Sequence, residues 1–115
     1  MRYLIILNDP PYGTERSYNG LRIAMSLATR DDTEVDIFLL ADAVFCAKAG
    51  QSTPDGYYNL ERMLKPISRN GAILLCGTCM DARALSPDEL VEDARRSSMV
   101  ELTDYMMTAD KVLVF

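Results

Sequence analysis

Two runs limit what this chain can become. Tyr3-Leu4-Ile5-Ile6-Leu7 and Ala72-Ile73-Leu74-Leu75 are apolar or aromatic at every position, with no polar parity. As strands they are buried on both faces, which is the character of central strands in a parallel sheet. The second run is fenced by Asn70-Gly71 and by Gly77, the residues that end regular structure. A sheet buried on both sides requires helices between its strands. At 115 residues the chain supplies one domain in which to arrange them.

The rest of the sequence provides those helices. Asn8 to Gly13, with two prolines and a glycine, is a loop that neither strand nor helix can continue. Thr14 is placed to cap a helix running to about Thr29, buried along Leu21, Ala24, Met25 and Ala28. A second strand covers Glu34 to Leu40. Asp42 then caps a short helix from Ala43 to Ala49, with Gly50 after it. Gln51 to Gly56 is a polar loop. Asn59 caps a helix carrying Leu60, Met63, Leu64 and Ile67, which Pro66 should end or kink near Lys65. Ser86-Pro87-Asp88-Glu89 reads as a helix start, and Leu90 to Ala94 as either its extension or a short strand. Ser98 and Glu101 form a second capping box ahead of Val100, Leu102, Tyr105 and Met106, and Val112 to Phe115 is the last strand. Strands alternating with helices specify a three-layer α/β/α sandwich with a mostly parallel sheet of four to five strands.

Charge and composition remove several functions. A net charge of −5 opposes binding driven by phosphate neutralisation, so no direct nucleic-acid partner is expected. The absence of histidine removes the usual general base and nitrogen metal ligand. No stretch approaches the roughly 18 to 20 apolar residues that span a bilayer, and the apolar start is too short for an export signal, so no membrane association is expected. Three cysteines, an odd number, then read as reduced thiols in the cytoplasm.

Two of those cysteines stand where the second run ends, in Cys76-Gly77-Thr78-Cys79. The carboxyl edge of a parallel sheet is where ligands bind in open α/β folds. Four readings are open there. A CxxC pair can be a redox dithiol, although no Trp and no late proline accompany it. It can contribute two ligands to a metal, but Cys46 adds at most a third. One cysteine can be a nucleophile, its thiolate favoured by the N–H groups of Gly77, Thr78 and Cys79 and by Arg83. Or both can be small core residues. Elsewhere, Asn8 to Gly13 is a weak candidate for an anion cradle and too proline-rich for a flavin phosphate loop. Asp42 sits at the carboxyl edge of its strand. Tyr57-Tyr58-Asn59 suits packing and capping or the lining of a pocket. Cys46 reads as structural.

Taken in order, Asn8-x-x-Pro11-Tyr12-Gly13, Leu21-Arg22-x-Ala24, Ser26-Leu27, Asp42-Ala43-Val44, Gly50-Gln51, Tyr58-Asn59, Cys76-x-Thr78-Cys79-x-Asp81-x-Arg83 and Ala109-Asp110-Lys111-Val112-Leu113 resemble the DsrE/DsrF-like family, most closely its YchN-like branch. The resemblance spans essentially the whole chain. It implies a flavodoxin-like α/β/α domain that forms homo-oligomers, with a trimer or hexamer expected here. It also implies sulfur handling, in which a persulfide on one cysteine is passed from a donor protein to an acceptor protein. The family places an Arg-Gly pair after its active cysteine. Counting back from Arg83 assigns that role to Cys76, while Cys79 is the additional cysteine of the YchN-like branch, and position 84 is Ala where Gly is common. The supporting positions it implies are Gly77, Thr78, Asp81 and Arg83, with Asn8, Tyr12, Asp42 and Tyr58. Such a carrier needs no cofactor and no metal. A CxxC redox protein and a non-catalytic oligomeric binding module are the alternatives.

Overall fold

The computed structural model describes residues 1–115. Five strands, β1 (Arg2–Leu7), β2 (Glu34–Leu39), β3 (Ile73–Cys76), β4 (Ala94–Ser97) and β5 (Lys111–Val114), form one sheet in the order β4-β3-β2-β1-β5. Every pairing is parallel. The helices are α1 (Arg16–Ala28), α2 (Leu60–Ser68), α3 (Gly77–Ala82) and α4 (Met99–Thr108), with 3-10 turns at Ala41–Ala47 and Pro87–Glu89.

Handedness sets the layers. From β1 to β4 the chain steps one way across the sheet, then returns in one crossover from β4 to β5 on the far side of β1. Right-handed crossovers in opposite directions must use opposite faces. Accordingly Ile5, Leu7, Ile37, Leu39, Ile73 and Leu75 pack under α1, α2 and the first 3-10 turn. Leu4, Ile6, Phe38, Leu74 and Cys76 face the other way and meet Leu102 of α4. The expected three-layer α/β/α sandwich is therefore present, with a sheet that is wholly parallel.

Gly71 shows how tightly β3 is seated. A Cβ there would lie 1.7 Å from the Val35 carbonyl oxygen, so the chain can enter β3 at this point only as glycine.

Four local expectations are corrected. Thr14 does not cap α1, because its hydroxyl donates to Asp9 Oδ2 at 2.8 Å and the helix starts after Glu15. Asp42 does not cap a helix over 43–49. It lies inside the 3-10 turn Ala41–Ala47, where its carboxylate meets Arg83 instead. Pro66 does not end α2, which continues to Ser68 with Ile67 buried beneath it. The strand sought in 90–94 is β4, Ala94–Ser97. No helix is long and apolar enough to cross a membrane.

Candidate functional site

The site grows from the end of β3. Cys76 is the last residue of that strand and the N-cap of α3, and its Sγ accepts the Cys79 N–H at 3.3 Å. The Thr78 hydroxyl shares a second hydrogen bond with the same sulfur at 3.2 Å. Burial pushes the Cys76 thiol up, but the Cys79 thiol, the Thr78 hydroxyl and the N–H groups of Cys79 and Thr78 outweigh it, and the net direction is down. Cys79 goes the other way. Burial and the neighbouring Cys76 raise it against the Ala41 N–H, which donates to Cys79 Sγ at 3.2 Å, and against Arg83. The pair thus divides into a thiol that ionises more readily and one that keeps its proton.

Two ion pairs frame the sulfurs. Arg83 Nε meets Asp42 Oδ1 at 2.7 Å, and its Nη1 donates to the Cys79 carbonyl at 3.2 Å. Arg96, on β4, holds Asp81 with both terminal nitrogens, at 2.8 and 2.9 Å. Its guanidinium lies against Gly77, where an added Cβ would come within 2.7 Å of Arg96 Cζ. Glycine at 77 is what allows this cation to lie over the start of α3. Ala41 and Ala84, at the two margins of the site, both adopt left-handed backbone (φ 50° and 53°) that costs a residue with a Cβ about 1 kcal/mol or more. Position 84, where the resemblance leads one to expect glycine, has a φ that glycine would adopt without that cost.

The structure brings together Cys76, Gly77, Thr78, Cys79, Asp81, Arg83 and Asp42. Three sequence candidates make their hydrogen bonds and stacking contacts elsewhere. Asn8 Nδ2 donates to the Phe115 carbonyl at 3.0 Å and ties β1 to the end of β5. The Tyr12 hydroxyl donates to Gln51 Oε1 at 2.5 Å and accepts the Leu60 N–H at 3.2 Å, pinning the loop after β1 to the start of α2. Tyr58 is stacked between Tyr18 and Tyr57, at centroid distances of 4.1 and 4.4 Å. Cys46 is fully buried, and burial pushes its thiol up to about 12, which makes it chemically inert. Arg96 was not anticipated from sequence. The only signal for it is the pair Arg95-Arg96, two charges in a stretch without apolar periodicity. Cys76 is nearly closed to solvent, at only 5% exposed.

No group of three or more Cys, Asp or Glu side chains is placed to hold a metal ion. What the arrangement can do is present one stabilised thiolate beside a second, protonated thiol between two guanidinium groups.

Known proteins match this chain along its length. The DsrE/DsrF-like family model covers residues 1–115. Protein YchN of Escherichia coli (strain K12) is 35% identical over 116 residues, covering 99% of this chain and 98% of that protein. An uncharacterized protein of Methanocaldococcus jannaschii is 34% identical over 115 residues and the full length of both. The crystal structure of the E. coli ychN protein superposes with a TM-score of 0.93 over 99% of this chain and 98% of that one. A protein of unknown function from Methanobacterium thermoautotrophicum, 13% identical with a TM-score of 0.73 over 99% and 98% of the two chains, shares the fold. On the strength of a match that runs from the first strand to the last, this chain belongs to the DsrE/DsrF-like family.

Proposed function

We propose that this protein carries sulfur in the cytoplasm as a persulfide on Cys76, taking it from a donor protein and giving it to an acceptor protein. The observation behind this reading is the Cys76 sulfur itself. It sits at the carboxyl end of β3 with the Cys79 N–H and the Thr78 hydroxyl on it, so that the nucleophilic form is favoured. In loading, the Cys76 thiolate attacks the outer sulfur of a donor persulfide. The donor S–S bond breaks, a new S–S bond forms on Cys76, and the donor leaves as a thiolate. Unloading repeats the exchange with an acceptor thiolate, and neither step changes the total oxidation state. Because Cys76 is almost covered, loading needs the turn between β3 and α3 to open toward the donor.

A second reading is favoured by Cys79. Its thiol can attack the Cys76 sulfur of the persulfide, closing a Cys76–Cys79 disulfide and releasing hydrogen sulfide; an external dithiol must then supply two electrons to reset the pair. The carrier acts as a homo-oligomer, a trimer or hexamer. Support comes from the apolar side chains left outside on α4, among them Met99, Val100 and Met107.

Intact mass spectrometry after incubation with inorganic polysulfide tests both readings. The wild type should gain the mass of one sulfur atom, Cys76→Ser should gain none, and Cys79→Ser should hold its extra sulfur longer than the wild type. Equal loading of Cys76→Ser and wild type sinks the assignment of Cys76.

A further inference from the structure

A second concave site lies between α1 and the start of α2, and shares no residue with the thiol cluster. Its volume is about 500 Å³, within the range of small-molecule pockets. The walls are unusual for a surface of this chain. Tyr18, Tyr58 and Tyr57 form a continuous stack, Tyr57 half-exposed at its outer end. The stack is held in place from behind: Tyr12 stacks on Tyr58 at 5.8 Å and is fixed by its bonds to Gln51 and Leu60. Asn59, buried next to Tyr58, caps α2 by accepting the Arg62 N–H at 3.1 Å and also donates to the Gln51 carbonyl. An aromatic surface immobilised in this way loses little freedom when a ring stacks on it.

Charge supplies the second half of the recognition. Arg22 and Arg62 both line the groove. Neither forms an ion pair with a carboxylate, as is true of seven of the twelve basic residues of this chain. Arg22 rests over the Tyr18 ring, 5.4 Å from its centroid, and donates to Asn19 Oδ1. In a chain of net charge −5, these guanidinium groups give the groove a cationic component beside the exposed Tyr57 ring.

We infer that this groove binds a planar aromatic anion of nucleoside-phosphate size, its ring stacked on the outer face of Tyr57, the free end of the tyrosine stack, and its anionic group paired with Arg62. Stacking on tyrosine selects for a flat ring and tolerates its identity. The planar fork of the Arg62 guanidinium can meet a phosphate with two hydrogen bonds, which favours such an anion over a neutral acceptor. The Glu15 carboxylate, whose field reaches Tyr58, opposes the same anion and gives the proposal a charge reversal to test.

The probe is adenosine 5′-monophosphate, titrated into ¹⁵N-labelled full-length protein and followed by amide shifts. The amides of Tyr57, Tyr58 and Arg62 should move saturably, with a Kd below about 1 mM. Adenosine, which lacks the charge, and inorganic phosphate, which lacks the ring, should each bind at least about tenfold more weakly. Tyr57→Ala and Arg62→Gln should each weaken the nucleotide about tenfold, while Glu15→Gln should tighten it. Cys76→Ser should bind it as the wild type does, because the thiol site is separate. The inference is overturned if those amides stay still up to about 10 mM nucleotide, if phosphate alone binds as well, or if Tyr57→Ala and Arg62→Gln bind normally. A single-stranded oligonucleotide that binds more tightly than the mononucleotide overturns the choice of a free small anion. A change in the assembly state of Arg62→Gln overturns it in favour of contact between copies.

Discussion

Cys76 caps the helix it begins, and the hydrogen bonds that make it a cap stabilise the thiolate more than the thiol. The lowering therefore comes from neighbours within the same turn, with Arg83 turned toward Asp42 and the Cys79 carbonyl. This fixes the order of effects. Thr78→Val should slow iodoacetamide labelling of Cys76 at neutral pH several-fold, because a donor to the thiolate is lost. Arg83→Ala should change Cys76 less than Thr78→Val does, and should change Cys79 more than it changes Cys76. A plot of labelling rate against pH for each variant separates these outcomes; labelling of Cys76 only after denaturation would end the case for a working nucleophile. The CxxC sequence pointed to the thiols and to Thr78. It could not point to Arg96, whose contact with Gly77 depends on the pairing of Leu75 with Arg96 across two strands.

Helix starts were readable where a side chain had no better local partner. Asn59 accepts from Arg62, Ser98 accepts from Glu101, and Ser86 with Glu89 forms a capping box. Thr14 failed as a cap because Asp9 captures its hydroxyl, a contact between two loop residues that no periodicity encodes. β4 escaped recognition for a related reason. Its Ala-Arg-Arg-Ser sequence is that of a guarded sheet edge, where charge discourages further pairing. That edge is joined to α4 by Glu101, which takes both terminal nitrogens of Arg95 at 2.8 Å and a short bond from the Ser97 hydroxyl. Arg95 first, then Ser97, holds the Glu101 carboxyl down at about 2, below its ordinary 4.5. A lowered carboxylate adds stability in full above its ordinary value and loses it as pH falls from there through about 2. Because the pair is partly exposed, the contribution should be about 1 kcal/mol or less. Urea midpoints at pH 7 and pH 3 check this: Glu101→Gln should lose stability at pH 7 and show a smaller drop between the two pH values than the wild type. An unchanged drop would mean the pair contributes nothing.

For the whole molecule, layer order was legible because both-face apolar strands admit few arrangements, and the right-handed crossover rule settles most of what is left. Strand order was not legible: nothing in Lys111–Val114 says that it pairs with β1 rather than with β4. The proposed assembly belongs to this scale too. Met107 is 80% exposed and Val100 74%, on a helix whose buried side has only Leu102 fully inside. Sedimentation or light scattering at micromolar concentration should give a trimer or hexamer, and Met107→Glu should shift it toward smaller species; a monomeric wild type would remove the idea.

The return of the chain across the whole sheet has a consequence in time. β1 is made first, yet its partner on one side is β5, and the Arg2 N–H waits for the Asp110 carboxylate 108 residues further along. Until Lys111–Val114 has been synthesised, β1 can pair only with β2, and its other edge offers free N–H and C=O groups to any strand nearby. Pairings this distant in sequence close slowly, since the intervening loop must be ordered before they form. The last four-residue strand is thus the step that seals the sheet, and the interval before it closes is when the growing chain is most open to pairing with the wrong neighbour.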